Sequence, residues 1–275
     1  MTGTGKDGST TTISVSVVGA TGKFGRAIIS QAPPDIKISG AVCSDSNPAV
    51  GKTLREAGIQ SSDTVIRGAS QIEDAITGCD VALFVSKADA DMANIPKALS
   101  KGKRIVVGTT GFTSTQTERL NSLLTKVPSV VASNFSIGAN ILFQVTRLVS
   151  RFSPFYDYSV IEHHHKLKND APSGTAKTLA QILNNDHAFP VTVTDRTVKP
   201  KRIPGEVEMV SLRGGGTPGI HQLVLAGEHD MIRVEHLAFS RAAGASGALL
   251  ACRWIASRNE PGIYSMQDVL GLRAA

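Results

Sequence analysis

Three consecutive histidines form the densest group of titratable side chains in this sequence. They lie within Glu162-His163-His164-His165-Lys166-Leu167-Lys168. Neighbouring side chains on an extended chain point to opposite faces, so three successive imidazoles cannot readily converge on one metal ion. A histidine beside a lysine has a lowered proton affinity that a bound dianion would restore, which suits a general acid near neutral pH. The segment therefore favours a proton-donor site and no metal site.

A second candidate group, Ser173-Gly174-Thr175, follows directly after Pro172. We predict that these residues open a helix, whose first amides and positive dipole end would bind a carboxylate. Lys168 would add a point charge to this anion site. The alternative is a solvated polar loop in which Ser173 does no more than cap the helix.

Glycines at three-residue spacing form a third candidate site. Gly19, Gly22 and Gly25 follow the β-branched run 13–18 directly. Their spacing is related to the dinucleotide fingerprint, in which missing β-carbons let backbone amides approach a pyrophosphate at a helix N-terminus. The alternative is a tight strand-to-helix turn that needs glycine only for its backbone conformation.

An acidic residue at the expected distance supports the dinucleotide interpretation. Asp45 lies about 20 residues after Gly25, at the end of the second predicted strand, where a ribose partner belongs. Ser44 beside it and Lys23 in the glycine loop leave room for a 2′-phosphate. The sequence therefore leaves the choice between NADH and NADPH open.

Alternating strands and helices must position these groups in the first half of the chain. The apolar runs predict strands at 13–18, 36–42, 81–85, 105–107 and 130–132, with helices at 26–30, 92–99 and 116–124. Such alternation predicts an α/β fold with a Rossmann-type, doubly wound parallel sheet.

The pattern changes after Asn134 and predicts a second, α+β domain with a mixed, partly antiparallel sheet. Its expected elements are helices at 138–152 and 173–183 and strands at 158–161, 207–212, 220–226 and 231–238, the last three joined by hairpin-type turns. We expect a helix at 245–256, and the run 269–272, to return to the first domain. The predicted division is a disordered tail (1–12), a dinucleotide-binding domain (13–134 and 241–275) and a substrate-binding and oligomerisation domain (135–240).

Composition limits the possible partners. The 275 residues carry 29 Lys and Arg against 23 Asp and Glu, a formal charge of +6, and the basic residues are scattered rather than interleaved with aromatic ones. This favours small anionic ligands over nucleic acid. No run approaches the roughly 20 apolar residues of a membrane-spanning helix. Three widely separated cysteines indicate a reducing, cytoplasmic setting.

The histidine segment also carries a resemblance to a known family. Glu162-x-His164-His165-x-x-Lys168-x-Asp170-Ala171-Pro172-Ser173-Gly174-Thr175-Ala176 resembles the signature of bacterial 4-hydroxy-tetrahydrodipicolinate reductases, also called dihydrodipicolinate reductases. Further similar blocks are Gly108-Thr109-Thr110-Gly111-Phe112, 133–138, Arg213-Gly214 and Ser240-Arg241. The resemblance implies water loss from the substrate, hydride transfer from NADH or NADPH to ring carbon 4, and protonation, in the diaminopimelate route to lysine. It also implies a small dicarboxylate substrate and a homotetramer.

The resemblance assigns roles to individual residues. It implies that His164 and Lys168 are catalytic and that the substrate carboxylates contact His165, Lys168, Ser173, Gly174 and Thr175. Asp170 would orient the loop. The implied cofactor-binding residues are Gly19, Ala20, Thr21, Gly22, Lys23, Phe24, Gly25, Ser44, Asp45, Gly108, Thr109, Thr110, Ala132, Ser133, Asn134 and Phe135.

Three positions depart from the family pattern. Ser44 stands where the family often has an acidic residue, with the acid only at Asp45. Ala242-Ala243-Gly244 replaces the aromatic residue that usually follows the Ser-Arg pair, and Phe24 takes a loop position that is often Met. These departures put an NADH preference, and the packing near Ser240-Arg241, in doubt.

Two other functions use parts of the same pattern. A semialdehyde dehydrogenase needs a cysteine nucleophile beside a base, and neither Cys43, Cys79 nor Cys252 is placed for that role. A non-catalytic nucleotide sensor would keep the glycine loop without needing His164 and Lys168. Cofactor binding without turnover would distinguish the sensor.

Overall fold

The computed structural model describes residues 12–187, 191–193, 201–203 and 205–272. By its contacts the chain divides into two units, which are described separately. The first unit consists of two stretches of the chain, one up to Phe135 and one from Gly244 onwards, and the second unit is Ser136–Ala243. The tail predicted at 1–12 falls outside the described residues except for Thr12.

The strands of the described chain are β1 (Ile13–Val18), β2 (Ile36–Cys43), β3 (Ile66–Gly68), β4 (Val81–Phe84), β5 (Arg104–Val107), β6 (Pro128–Val131), β7 (Asp157–His164), β8 (Val191–Val193), β9 (Val207–Arg213), β10 (Ile220–Ala226), β11 (Met231–Leu237) and β12 (Gly262–Tyr264). The α-helices are α1 (Lys23–Ser30), α2 (Ile72–Thr77), α3 (Ala88–Ser100), α4 (Ser114–Leu124), α5 (Ile137–Ser150), α6 (Gly174–His187), α7 (Ala242–Ala256) and α8 (Met266–Val269).

A seven-stranded sheet organises the first unit, in the order β12-β6-β5-β4-β1-β2-β3. All its strand pairs are parallel. The central strand β4 is apolar along its whole length and every one of its residues is buried, as expected for a parallel strand covered by helices on both faces. This confirms the predicted α/β fold with a doubly wound sheet.

Helix α7 contributes to the core of the first unit. Ala248, Leu249, Cys252 and Ile255 are buried in the same apolar cluster as the residues of β1. Val269 of α8 joins this cluster. Helices α7 and α8 therefore share an apolar core with β1.

A five-stranded mixed sheet organises the second unit, in the order β11-β10-β7-β9-β8. β10 is antiparallel to both β7 and β11, whereas β9 is parallel to β7 and β8. Helices α5 and α6 supply Leu142, Phe143, Leu179 and Leu183 to the core of this unit, which also contains Val160 of β7. The mixed, partly antiparallel sheet is as predicted.

One predicted hairpin in this sheet is wrong. The strands at 207–212 and 220–226 are not neighbours, because β7 lies between β9 and β10. The connecting segment instead crosses the end of β7, where the Gly214 amide donates to the His164 carbonyl over 3.0 Å. The hairpin between β10 and β11 is present, and the Gly227 amide closes its turn on the Asp230 carbonyl.

The sequence also missed the shortest elements and several boundaries. β3, β8 and β12 have three residues each, too few for a periodic signal. α2 and α8 were missed as well. α3 begins at Ala88 rather than at residue 92, and the acidic residues in its first turn suit the positive end of the helix dipole. β7 continues to His164, which places the histidines on a strand.

Candidate functional site

A buried carboxylate and a buried imidazole share one face of β7, because alternate residues of a strand point the same way. The side chain of Glu162 is fully buried and that of His164 is nearly so. Glu162 Oε2 is hydrogen-bonded to His164 Nδ1. Since an ionised carboxylate can only accept, Nδ1 is the donor, and Nε2 remains for a ligand.

The third and first histidines of the run do not join this pair. His163 points to the opposite face of the sheet, and His165 lies just beyond the end of β7, half-buried. Within the described residues, no group of three or more His, Cys, Asp or Glu side chains is arranged to hold a metal ion. The alternation along the strand accounts for this dispersal.

Lys168 lies on the loop that follows β7 and is engaged in an ion pair. Its Nζ donates to both carboxylate oxygens of Asp170, over 2.7 and 3.0 Å. Burial by itself would raise the pKa of Asp170, but the hydrogen bond and charge of Lys168 keep that pKa below its usual value. Asp170 thus fixes the position of the lysine charge.

Ser173 prepares the start of α6 as a capped helix end. Its Oγ accepts from the Ala176 amide over 3.2 Å, and its own amide donates to Glu162 Oε1 over 3.3 Å. The helix begins at Gly174, next to the buried Thr175. Glu162 therefore links the start of the helix to His164.

Two residues without predicted roles complete this cluster. Arg213, at the end of β9, donates from one guanidinium nitrogen to Glu162 Oε1 over 2.8 Å and to the Asp170 carbonyl over 2.6 Å. His221, on β10, packs edge-on against His164 with ring centroids 5.1 Å apart. The alternation of β10 gave a signal for His221, which stands at a core-facing position in line with the buried Leu223 and Leu225.

The buried charges set the proton affinity of the cluster. Burial lowers the pKa of His164; Glu162 opposes this, while Lys168 and Arg213 lower the pKa further. Hydrogen bonds from Arg213 and His164 hold the pKa of Glu162 below its usual value although burial works in the opposite direction. Burial lowers the pKa of His221 to about 3, so this ring is neutral at physiological pH.

In the first unit, the glycine loop is shaped by close backbone approaches. Gly19 has φ +99°, and a β-carbon there would lie 2.5 Å from the Val85 carbonyl oxygen. A β-carbon at Gly25 would overlap the Gly19 carbonyl, whereas one at Gly22 would meet only that oxygen at 3.3 Å. Gly19 and Gly25 are therefore required for the turn itself, so both interpretations of the motif apply to them.

The helix after this turn offers the groups that a pyrophosphate needs. α1 begins at Lys23, so the amides of Lys23, Phe24 and Gly25 occupy its first turn and have no acceptor within the helix. The amides of Gly19 and Ala20 are instead occupied by the Val42 carbonyl. The turn and helix start fit a dinucleotide, with the anion contact shifted towards residues 23–25.

Asp45 lies just beyond the end of β2 and is held from one side. Its Oδ1 accepts from the Ser70 amide over 3.0 Å and from the Ser70 hydroxyl over 2.7 Å. These hydrogen bonds lower its pKa. Asp45 and Ser44 are both exposed, so the fixed carboxylate and the neighbouring hydroxyl are accessible to a ribose.

The remaining cofactor candidates lie after β5 and β6. Thr109 is buried, and its hydroxyl donates to Asp91, a fully buried carboxyl group that also accepts from Ser86. Thr110 is exposed. Gly108 is packed against Phe135, since a β-carbon there would lie 2.6 Å from the Phe135 ring. Ala132 and Asn134 are half-buried and Ser133 is exposed.

Gly244 lies close to the ring of Phe24, another position that departs from the family pattern. A β-carbon at Gly244 would lie 3.1 Å from the ring of Phe24. The missing side chain at position 244 therefore makes room for the large side chain in the glycine loop.

Comparison with known proteins identifies relatives along nearly the whole chain. Residues 13–135 match the family model described as dihydrodipicolinate reductase, N-terminus, and residues 138–270 match dihydrodipicolinate reductase, C-terminus. The 4-hydroxy-tetrahydrodipicolinate reductase of Anaeromyxobacter dehalogenans (strain 2CP-1) is 34% identical over 269 residues, which cover 94% of this chain and 98% of the relative. That of Methanoculleus marisnigri is 36% identical over 265 residues, 94% and 100% of the two chains.

A solved structure shares the fold. Dipicolinate-bound dihydrodipicolinate reductase from Paenisporosarcina sp. TG-14 gives a TM-score of 0.70 at 23% identity, covering 94% of this chain and 98% of that one.

Proposed function

The chain belongs to the dihydrodipicolinate reductase family, and from this premise we propose that it reduces 4-hydroxy-tetrahydrodipicolinate to tetrahydrodipicolinate with NADH or NADPH. This places it in the diaminopimelate route to lysine. The observation that carries the proposal is the cluster in the second unit, where a buried histidine, a lysine and a capped helix start share Glu162 and Asp170 as partners. A proton donor beside an anion site is what this reduction requires.

Residues of the first unit would hold the cofactor. We assign the pyrophosphate to the glycine loop: the amides of Lys23, Phe24 and Gly25 would contact it, and Gly19, Ala20, Thr21 and Gly22 would form the turn beside it. We assign the ribose to Ser44 and Asp45, the nicotinamide side to Gly108, Thr109 and Thr110, and the cofactor edge to Ala132, Ser133, Asn134 and Phe135. When bound, NADH or NADPH supplies a hydride to ring carbon 4 of the conjugated imine that remains after water loss. The steric needs of Gly19 and Gly25 and the helix start at Lys23 support this assignment.

His164 and Lys168 would handle the charge that this hydride creates. The new C–H bond at carbon 4 displaces the conjugated electrons towards the ring nitrogen, where His164 Nε2 delivers a proton and Lys168 stabilises the negative charge. Burial and the nearby cations lower the pKa of His164 in the free protein. A bound dianion offsets those cations, so His164 takes up its proton with the substrate.

The substrate carboxylates would bind Lys168, His165 and the helix start at Ser173, Gly174 and Thr175. Lys168 pairs with the carboxylate of Asp170 within the protein, and a substrate carboxylate would be a second anionic partner for the same ammonium group. Within the protein Ser173 uses its amide and its hydroxyl, which accepts from the Ala176 amide and lies 3.4 Å from His221 Nε2, so its contribution to a carboxylate site would be to hold the start of α6 in place. The dipicolinate named with the Paenisporosarcina structure is a dicarboxylate, which agrees with this substrate class.

We also propose self-association as a homotetramer through the second unit. The face of its sheet opposite α5 and α6 carries Ile161, Val210 and Val224, with the exposed Leu212 and Leu237 beside them. Ser159, Glu208 and Gln222 lie on the same face, so its apolar side chains form a patch among polar ones that a partner copy would bury. The described helices include none long and apolar enough to cross a membrane. The protein's three described cysteines are free and buried, which is consistent with a cytoplasmic setting.

A semialdehyde dehydrogenase mechanism has less support. Burial raises the pKa of Cys79 to about 11 and raises those of Cys43 and Cys252 as well. A nucleophilic cysteine needs a lowered pKa, so none of the three is prepared for thiolate chemistry.

A coupled assay tests the proposal. The purified protein is mixed with NADH or, separately, NADPH, and the substrate is generated in place by the preceding synthase from pyruvate and aspartate semialdehyde. We expect oxidation that depends on the synthase substrates. Nucleotide binding with no such oxidation would favour the sensor function instead.

A further inference from the structure

Glu162 occupies the centre of the buried sheet face that carries His164. In the register of the sheet it stands between His221 of β10 and Ser211 of β9. Its side chain is fully buried, yet it is ionised and uses both carboxylate oxygens. A buried carboxylate is costly unless it is fully paired, so its retention here points to a role.

The two oxygens of Glu162 serve different partners. Oε2 takes the Nδ1 proton of His164, and Oε1 takes hydrogen bonds from Arg213 and the Ser173 amide. This arrangement fixes the orientation of the imidazole ring and leaves Nε2 as the exchanging nitrogen. Gly219 keeps the space beside Nε2 open, because a β-carbon there would lie 3.1 Å from it.

Arg213 connects this carboxylate to the loop that carries Lys168. The residue pairs with His164 in the parallel register of β7 and β9. The same guanidinium nitrogen that binds Glu162 donates to the Asp170 carbonyl, and the carboxylate of Asp170 holds Lys168. One side chain thus ties together the supports of both proposed catalytic residues.

We propose that Glu162 and Arg213 are positioning residues of the reductase: Glu162 fixes the tautomer and charge of His164, and Arg213 holds Glu162 and the Lys168 loop in register. This inference rests on the proposed function and assigns roles to two residues outside its catalytic and binding set. Neither residue needs to touch the substrate.

The groups that face His164 define the expected pH behaviour. They are Glu162 on its own strand, Lys168 on the loop, Arg213 on β9 and the neutral His221 on β10. Glu162 alone among these raises the pKa of His164. Its removal therefore lowers that pKa, and His164 loses its proton at a lower pH than in the wild type.

The first experiment replaces Glu162 by glutamine, with Glu228→Gln in the exposed turn between β10 and β11 as a matched control. We expect Glu162→Gln to lower kcat at neutral pH by about 100-fold and to move the fall of kcat/KM with rising pH to lower pH. The KM for the nucleotide should change less than about twofold. An unmoved pH profile with a rate within about threefold of the wild type would overturn the role of Glu162.

A second pair of variants tests Arg213. Arg213→Lys keeps the charge on a shorter side chain, whose ammonium group falls short of both acceptors, whereas Arg213→Ala leaves a space for a guanidinium ion. We expect both to reduce kcat, and guanidinium at concentrations too low to unfold the protein to restore part of the rate of Arg213→Ala only. Equal rates for Arg213→Lys and the wild type would contradict the connecting role.

The tautomer of His164 can be measured without turnover. In ¹⁵N-histidine spectra of the wild-type protein, assigned with His164→Gln, we expect the Nδ1-protonated form at neutral pH. A neutral ring protonated at Nε2 would overturn the proposal even if Glu162→Gln failed to fold. If the wild type shows the expected tautomer but no reductase activity, the proposed function fails while the arrangement of Glu162 and His164 stands.

Discussion

The two units prepare their candidate sites by different physical means. In the first unit the decisive features are absences of side chains: Gly19 and Gly25 let backbone segments approach each other and place the start of α1. In the second unit the decisive features are charged side chains that form two ion pairs beside His164, Glu162 with Arg213 and Lys168 with Asp170. Substitutions should therefore change shape and nucleotide affinity in the first unit, and charge and proton transfer in the second.

The largest effect should come from removing the lysine charge. Lys168→Ala should reduce kcat by about 1000-fold, because no other described side chain replaces this charge at the developing negative centre. Nucleotide affinity, measured by fluorescence titration, should remain near that of the wild type. Lys166→Ala, two residues away on the exposed part of the loop, is the control. If kcat fell to a similar extent in Lys168→Ala and Lys166→Ala, the specific role of the Lys168 charge would be contradicted.

His164→Gln should come next, with a loss of about 100-fold in kcat and little change in nucleotide affinity. A general acid works only while protonated, so activity is present below the pKa of His164 and lost above it. Since that pKa is lowered in the free protein, kcat/KM should fall at lower pH than kcat, which reports the substrate complex. In His164→Gln this separation of the two profiles should vanish. Its persistence would assign the proton to another group.

Gly25→Ala tests the glycine loop of the first unit, where the absence of side chains sets the shape of the turn. Its β-carbon would overlap the Gly19 carbonyl, so the turn must move. We expect about tenfold weaker nucleotide binding and a lower melting temperature. Gly22→Ala, which meets only one oxygen at 3.3 Å, should lose less. Isothermal titration calorimetry of both variants with the nucleotide measures the loss of affinity. A second titration with pyridine-2,6-dicarboxylate, which probes the second unit, shows whether the loss is confined to the first unit.

The smallest effect concerns cofactor choice. Asp45→Ser removes a fixed carboxylate at the proposed ribose site, so the ratio of NADPH to NADH activity should rise about fivefold. Initial rates with the two nucleotides measure it. An unchanged ratio would show that Asp45 does no more than cap the segment at Ser70.

The sequence predicted what depends on local pattern. The glycine turn, the buried strand β4 and the first part of β7 all follow from spacing within a few residues, and the family signature covers Glu162 to Ala176. The predicted strand stopped at Ile161, whereas β7 continues to His164. Arg213 and His221 gained no role from sequence because they meet Glu162 only through the order of strands in the sheet. The same missing information produced the wrong hairpin, since nothing local shows that β7 inserts between β9 and β10.

The most direct test of the central claim follows the transferred hydrogen. NADH doubly deuterated at nicotinamide carbon 4 is oxidised in the coupled assay in ordinary water, and the product is examined by mass spectrometry and NMR. We predict that the wild type forms tetrahydrodipicolinate with one deuterium, located at ring carbon 4. Lys168→Ala should form little of this labelled product, because its turnover is lost. A product without deuterium, or with deuterium at another position, would contradict the proposed hydride transfer.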